Sequence, residues 1–217
     1  KASLCFNPML LFRRYFVIFQ IKIMFNGIIK DTGTIVDIHK NRKNCVISIN
    51  SKIKFTKSEI GSSISCSGTC LTLASFKGNN SKFYLSKETL NRTNFKNAKV
   101  KDILNLEKSL KYGTRISGHF VQGHVDTACL VSKIAFLGKS WAINIQLLRK
   151  YRNLVVEKGS ITVNGVSLTI SNIFQKEFQV VVIPQTLKYT NLIKLKKNDI
   201  VNVEFDVLGK YINNSLK

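Results

Sequence analysis

The 217-residue chain carries 34 Lys and Arg against 12 Asp and Glu, a formal charge of +22, with 44% hydrophobic residues, two Pro and twelve Gly. That apolar content is enough to bury a core, which excludes a disordered or low-complexity chain, and the length suits one large or two small domains. The cysteines Cys5, Cys45, Cys66, Cys70 and Cys129 are odd in number and form no C-x-x-C pair, which points to a reducing, intracellular compartment.

So basic a chain has the electrostatic footprint of a nucleic-acid binder. Here Lys outnumbers Arg 27 to 7, the lysines are scattered singly, and most of the fourteen Phe fall at alternating, core-like positions instead of between basic residues. Solvated faces, and no specific nucleic-acid partner, are the expectation.

Residues 1–23 contain no acid and include two apolar runs separated by Arg13 and Arg14. Three readings stay open: a targeting segment, upstream sequence joined to a true start at Met24, or a surface extension. The extension outside the fold is the expectation. With Gln20 and Lys22 further breaking the apolar stretch, no run reaches the roughly 20 residues of a membrane span.

From Met24 onward the pattern is strand-like, with Val, Ile, Thr and Phe runs at 33–38, 45–49 and 179–183 divided by Gly, Asn and Lys. The sequence also repeats. Residues 64–73, ISCSGTCLTL, match 161–170, ITVNGVSLTI, at an offset of 97 that places Gly68 on Gly165. The same offset pairs Glu88-Thr89-Leu90 with Gln185-Thr186-Leu187, Thr93-Asn94 with Thr190-Asn191, and residues 102–107 with 199–204. Residues 25–29 match 121–125 one residue off that register. Two tandem antiparallel barrels are therefore predicted, 24–112 and 113–206, with a short helix over 207–217.

A duplicated fold with a matched turn in each half implies two related pockets, and the differences between halves carry the chemistry. Cys70 in the first copy stands where the second has Ser167, and Ser109 stands where the second has Asp206. Two copies of one ligand in different chemical roles would suit that asymmetry. Thr72 and Thr169 either face a flat heterocycle or pack as β-branched strand residues. The stretch 118–126 holds His119 and His124, two of the three His. Their odd separation puts them on opposite strand faces and no Cys lies at ligand spacing, so no metal site is expected. His124 beside Gly123 fits a hydrogen-bonding role toward a polar ligand.

These residues resemble the riboflavin synthase family, alpha-chain type, from Met24 essentially to the end of the chain. Residues 24–28, MFNGI, resemble its M-F-T-G-I; residues 117–126 resemble G-G-H-x-x-x-G-H-V-D; residues 158–169, KGSITVNGVSLT, resemble K-G-S-I-T-V-x-G-x-S-L-T. Ile183-Pro184 with Thr186, Leu187 and Thr190 completes the series. The departures are Asn26 for Thr, Ser67 for Asn and Ser117 for Gly.

The resemblance implies two six-stranded Greek-key barrels and a transferase that needs no metal or redox cofactor. Two molecules of 6,7-dimethyl-8-ribityllumazine, donor and acceptor, would exchange a four-carbon unit to give riboflavin and 5-amino-6-ribitylamino-uracil. It also implies a cytoplasmic homotrimer with the site between neighbouring subunits and an association with lumazine synthase; the basic, acid-free segment 1–23 leaves an organellar location as the alternative if it is a transit segment. Only eleven residues follow Asp206, short for a helix that assembles trimers.

Carried onto this chain, the first-barrel pocket would use Gly27, Ile28, Ile29, Cys70, Leu71, Thr72, Tyr84, Leu85, Ser86, Lys87, Glu88 and Thr89. The second would use Gly123, His124, Val125, Lys158, Ser167, Leu168, Thr169, Ile183, Pro184, Gln185, Thr186, Leu187 and Lys188. The catalytic candidates are Ser167 and Asp206 for proton transfer or addition at C7, with Cys70, His124 and Lys158 polarising and positioning the pair.

Overall fold

The computed structural model describes residues 25–40 and 45–215; the segment 1–23, with its expected extension, lies outside them. Six strands make the first barrel: β1 (Asp31–Lys40), β2 (Cys45–Ser51), β3 (Ser63–Cys66), β4 (Thr69–Lys77), β5 (Asn80–Leu85) and β6 (Ile103–Lys108). The second repeats them as β7 (Thr127–Leu137), β8 (Ser140–Gln146), β9 (Ser160–Val163), β10 (Val166–Ile173), β11 (Glu177–Val182) and β12 (Ile200–Phe205). All pairings are antiparallel, and the closed ring β1-β2-β5-β4-β3-β6 has the same order as β7-β8-β11-β10-β9-β12. Strand β2 lies beside the far end of the β3–β4–β5 meander, which is the Greek-key arrangement.

Period-two alternation fixes which side chains fill each barrel. In β5, Ser81, Phe83 and Leu85 point inward while Lys82 and Tyr84 face out. Ile35, Ile47, Ile49, Leu73 and Phe83 fill the first core, and Val131, Ile143, Ile145, Ile170 and Phe178 fill the second. Among the described residues two Phe depart from the expected burial: Phe136 and Phe174 are exposed. The long strands bend at matched β-bulges, at 35/37 and 73/75 in the first barrel and at 131/133 and 170/172 in the second. Such bulges add the local twist that lets a six-strand ring close.

The barrels meet where two turns touch back to back. Ser67-Gly68 and Asn164-Gly165 both have positive φ, 45° and 80° against 47° and 79°, as a two-residue type I′ hairpin requires. A Cβ on Gly68 would stand 2.7 Å from the Gly165 nitrogen, and one on Gly165 would stand 2.6 Å from that of Gly68, so only Gly fits either place. Around the turns, Asn105 donates to the Asn164 carbonyl at 2.8 Å and Asn202 donates to the Ser67 carbonyl at 2.9 Å. The side-chain oxygens of Asn105 and Asn202 accept the N–H groups of Asn191 and Asn94 at 2.6 and 2.7 Å. Every one of these residues occurs in both halves at the 97 offset, with Ser67 in the place of Asn164.

Two short helices, α1 (Lys87–Arg92) and α2 (Pro184–Tyr189), precede the last strand of each barrel, and α3 (Val207–Ser215) follows β12. Among the described residues no helix is long and apolar enough to cross a membrane.

Candidate active site

The segment leading into each barrel docks on the other barrel. Phe25 and Val121 exchange backbone hydrogen bonds of 3.0 and 3.1 Å, the centre of the exchange. Beyond it, the Ser167 N–H on β10 donates to the Gly27 carbonyl at 2.9 Å, and the Cys70 N–H on β4 donates to the Gly123 carbonyl at 2.7 Å. Two buried carboxylates pin the leaders. Glu107 on β6 accepts the N–H groups of Asn26 and Gly27, both at 3.0 Å, and Glu204 on β12 accepts those of Gln122 and Gly123 at 2.7 and 2.9 Å. Burial pushes both carboxyls up to about 7, against the pull of those N–H donors.

This exchange corrects the expected composition of both sites. Gly27, Ile28 and Ile29 belong with Ser167 of the second barrel and not with Cys70, and Gly123 lies against Cys70 of the first barrel and not against Ser167. The pairing is read from backbone hydrogen bonds and contacts more than 40 residues apart, which repeat matching alone does not contain.

A cavity of about 310 Å³ opens at the Gly27–Ser167 junction, walled by Gly27 to Lys30, Val166, Ser167, Gln185, Thr186, Tyr189 and Thr190. That is the lower end of the range for small-molecule sites. Strand β10 presents Ser167 because its neighbours Val166 and Leu168 point into the core. Helix α2 starts with Pro184 at its first turn, where a missing N–H costs nothing, and lays Gln185, Thr186 and Tyr189 along the wall.

Behind Ser167 stands His119. Its Nδ1 lies 2.8 Å from Ser167 Oγ and its Nε2 lies 3.0 Å from Thr162 Oγ1. Burial lowers the His119 pKa and favours the neutral ring, while the nearby Asp206 carboxylate pulls the other way. Gly118 makes this approach feasible: a Cβ there would stand 2.0 Å from the Asn26 carbonyl oxygen and 2.9 Å from Ser167 Oγ. Asp206 caps α3, its Oδ1 accepting the Leu208 N–H at 3.0 Å. Asn26, the departure from Thr, makes a local turn in which its Oδ1 accepts the Ile28 N–H at 3.1 Å.

The remaining expected residues divide by location. Leu71, Leu85, Leu168 and Leu187 are buried in the barrel cores and are not on the wall of the Ser167 cavity. Thr72 and Thr169 are exposed, which removes the core-packing reading of both. Tyr84 is exposed on β5; Ser86 caps α1 by accepting the Thr89 N–H at 3.1 Å; Lys87 and Glu88 face solvent, Glu88 pairing with Arg92. His124 is exposed beside half-buried Val125. Its pKa is lowered by partial burial and by Lys210, with Asp126 opposing. Ile183, Pro184 and Lys188 are on the exposed side of α2 and its cap.

Lys158 precedes β9. It sits on an exposed turn at φ +65°, the place of Gly61 in the first barrel, and is absent from the wall of the Ser167 cavity. Sequence reasoning missed four contributors: His119, Lys30, and the carboxylates Glu107 and Glu204. The last two lay inside the repeated block 102–107 and 199–204, where an alternating strand pattern reads a Glu as solvent-facing.

Fold and site together define a protein of two tandem barrels with two matched leader–strand junctions, each made by one barrel and the leader of the other, and with a small-molecule cavity at the Gly27–Ser167 junction. Comparison with known proteins gives that class its name. Residues 26–109 and 122–206 each match the lumazine binding domain family. Riboflavin synthase of Actinobacillus pleuropneumoniae is 37% identical over 193 residues, covering 89% of this chain and 90% of the relative. Riboflavin synthase of Escherichia coli is 35% identical over 189 residues, covering 84% and 87%. A crystal structure of LumP complexed with riboflavin superimposes with a TM-score of 0.74 at 26% identity, covering 84% of this chain and 99% of LumP. The chain belongs to the riboflavin synthase family.

Proposed function

We infer that this chain is a riboflavin synthase, a transferase that converts two molecules of 6,7-dimethyl-8-ribityllumazine into riboflavin and 5-amino-6-ribitylamino-uracil. The observation that carries the reading is the pair of leader–strand sites with unlike groups at equivalent positions, Ser167 backed by His119 in one and Cys70 in the other. A dismutation needs that arrangement, because one lumazine gives the four-carbon unit and the other receives it. The atoms of two substrates equal those of the two products, so no oxidant enters.

The substrate supplies much of its own reactivity, since deprotonating the C7 methyl leaves a charge delocalised over the pteridine ring. The protein orients two rings, and such positioning contributes roughly 7 to 11 kcal/mol. In the tautomer whose Nε2–H donates to Thr162 Oγ1, His119 Nδ1 accepts the Ser167 hydroxyl, and Ser167 can take a proton from the cavity as it gives its own to the ring. Asp206 acts through His119, favouring the imidazolium that this transfer creates. Cys70 and His124 serve the first-barrel site as positioning groups, with Thr72 and Thr169 on the exposed faces of β4 and β10 beside the two ligands. Lys158, on its exposed turn, works at the rim by charge and not in the chemistry.

The working assembly is a homotrimer in which the first-barrel site of one subunit faces the second-barrel site of the next. Leu208, Tyr211 and Ile212, exposed at 46%, 60% and 61%, form an unpartnered stripe on α3 that supports such contact. Lumazine synthase is the further partner of this reading, and the location is cytoplasmic, or organellar if residues 1–23 are a transit segment. Incubating the purified chain with 6,7-dimethyl-8-ribityllumazine and no metal tests the activity. Light scattering at several protein concentrations tests the trimer, and a monomer at full activity would reject it.

A further inference from the structure

The two leaders carry opposite charges at matched positions. Gly27, Ile28, Ile29 and Lys30 repeat as Gly123, His124, Val125 and Asp126. Asp126 is neutralised within its own half: its carboxylate accepts the Phe205 N–H at 2.9 Å and meets the Lys210 ammonium at 2.7 Å. Lys30 instead lies on the wall of the Ser167 cavity, whose other lining side chains carry no formal charge.

The groups around Lys30 come from every neighbouring element. Tyr189 of α2 shares the cavity wall, His119 stands behind Ser167, and Asp206 lies beyond His119. On its other side Lys30 lines a second cavity of about 490 Å³ with Asp31 and Glu107, where Lys108, Lys111 and Arg115 add cations. Lys108 is held there by Glu59 at 2.7 Å. The Lys30 charge lowers the Glu107 pKa, against the stronger upward push of burial, so its ammonium lies near the buried carboxyl that fixes the Gly27 leader.

We propose that Lys30 stabilises the anion formed when the lumazine in the second-barrel cavity loses a C7-methyl proton. The proposal rests on the riboflavin synthase reading and adds to it a residue with no counterpart in the other site. The C–H bond breaks, its electron pair spreads into the ring and toward the ring carbonyl oxygens, and the proton passes to Ser167 and His119. A fixed cation beside charge that develops in the reaction favours the charged state, and does so more strongly in a partly desolvated cavity. The same asymmetry says which lumazine ionises: the one beside Lys30, not the one beside the neutralised Asp126.

The test is an absorbance titration of 6,7-dimethyl-8-ribityllumazine bound to the full chain, read as the fraction of anion against pH. A Ser167→Ala background slows turnover during the reading. Lys30 is exposed, so substitution leaves the core intact. Lys30→Met is expected to raise the apparent pKa of the bound ligand by about 1, and Lys30→Arg to restore it. An unchanged ligand pKa in Lys30→Met overturns the proposal while leaving the functional reading in place. Failure of the unaltered chain to bind lumazine contradicts the functional reading, and the Lys30 assignment with it.

Discussion

The two barrels share their ring order, their bulges, their I′ turns and a buried Glu that holds the barrel's own leader against the other barrel, yet their ligand sites differ at each chemically active position. Ser167 with His119 behind it faces Cys70 in the partner site; Lys30 faces Asp126; the helix cap Asp206 faces Ser109. Gly68, Asn105 and Glu107 of the scaffold kept their identity through duplication; at the cavity Thr186 and Thr190 kept theirs, while Ser167, Lys30 and Tyr189 have unlike counterparts. The scaffold is under one set of physical demands in both halves, since a turn at positive φ or a pinned leader has few solutions. The sites face two demands, because a donor and an acceptor lumazine need different groups.

The strongest way to break the comparison is to remove proton transfer from one side only. Ser167→Ala is expected to lower turnover by about 10²- to 10⁴-fold, with lumazine binding retained, whereas Cys70→Ala lowers it much less. Steady-state kinetics with a binding titration reads both. Equal losses would mean that the sites are chemically alike.

The scaffold side is sharpened by the back-to-back turns. Gly165→Ala forces a Cβ into the Gly68 backbone at positive φ, and a loss of about 2–3 kcal/mol in urea unfolding is expected. Gly68→Ala should cost the same, because the two contacts are mirror copies; unequal costs would show that the barrels are not equivalent at their junction.

Next come the leader carboxylates. Glu107→Gln and Glu204→Gln each leave one backbone N–H facing an amide donor, at an expected cost of about 1–3 kcal/mol. Their pH signature has a definite sign. Both pKa values are raised by burial to about 7, so the folded state binds protons the unfolded chain has released. Their contribution to stability is full below the unfolded carboxyl range and is lost as pH rises through 7. Unfolding free energy from pH 4.5 to 8 should therefore fall in the unaltered chain and fall less in either Gln variant.

The smallest effect is expected at Lys158. Its left-handed backbone, in the place of Gly61, makes Lys158→Gly neutral or stabilising by less than about 1 kcal/mol. Turnover should fall by no more than a few-fold. A large loss would put Lys158 in the chemistry.

Much of this architecture is legible in the sequence because β-barrels announce themselves by alternation and a duplication by its offset. Gly68 on Gly165, Asn105 on Asn202 and Glu107 on Glu204 all fall at 97, and each pair proves structurally equivalent. The exchange of leaders was not legible. Its one trace is that residues 25–29 match 121–125 at 96, a slip that marks the leader as separate from the barrel it precedes. His119 was hidden for another reason: its partner Ser167 is 48 residues away, and no spacing rule joins a loop His to a strand Ser. Leu71, Leu85, Leu168 and Leu187 stand in the expected pockets because the resemblance implies whole segments, while strand and helix geometry turns these side chains into the core.

The central claim is that two unlike sites act on one substrate, and the most direct measurement is product stoichiometry. Purified protein is incubated with 6,7-dimethyl-8-ribityllumazine alone, and riboflavin and 5-amino-6-ribitylamino-uracil are followed by absorbance and chromatography, with the Ser167→Ala variant beside it. The expected result is equal amounts of the two products, each at half the substrate consumed, and near-total loss in the variant. Tight lumazine binding with no riboflavin formed would contradict the claim and make the barrels a chromophore carrier.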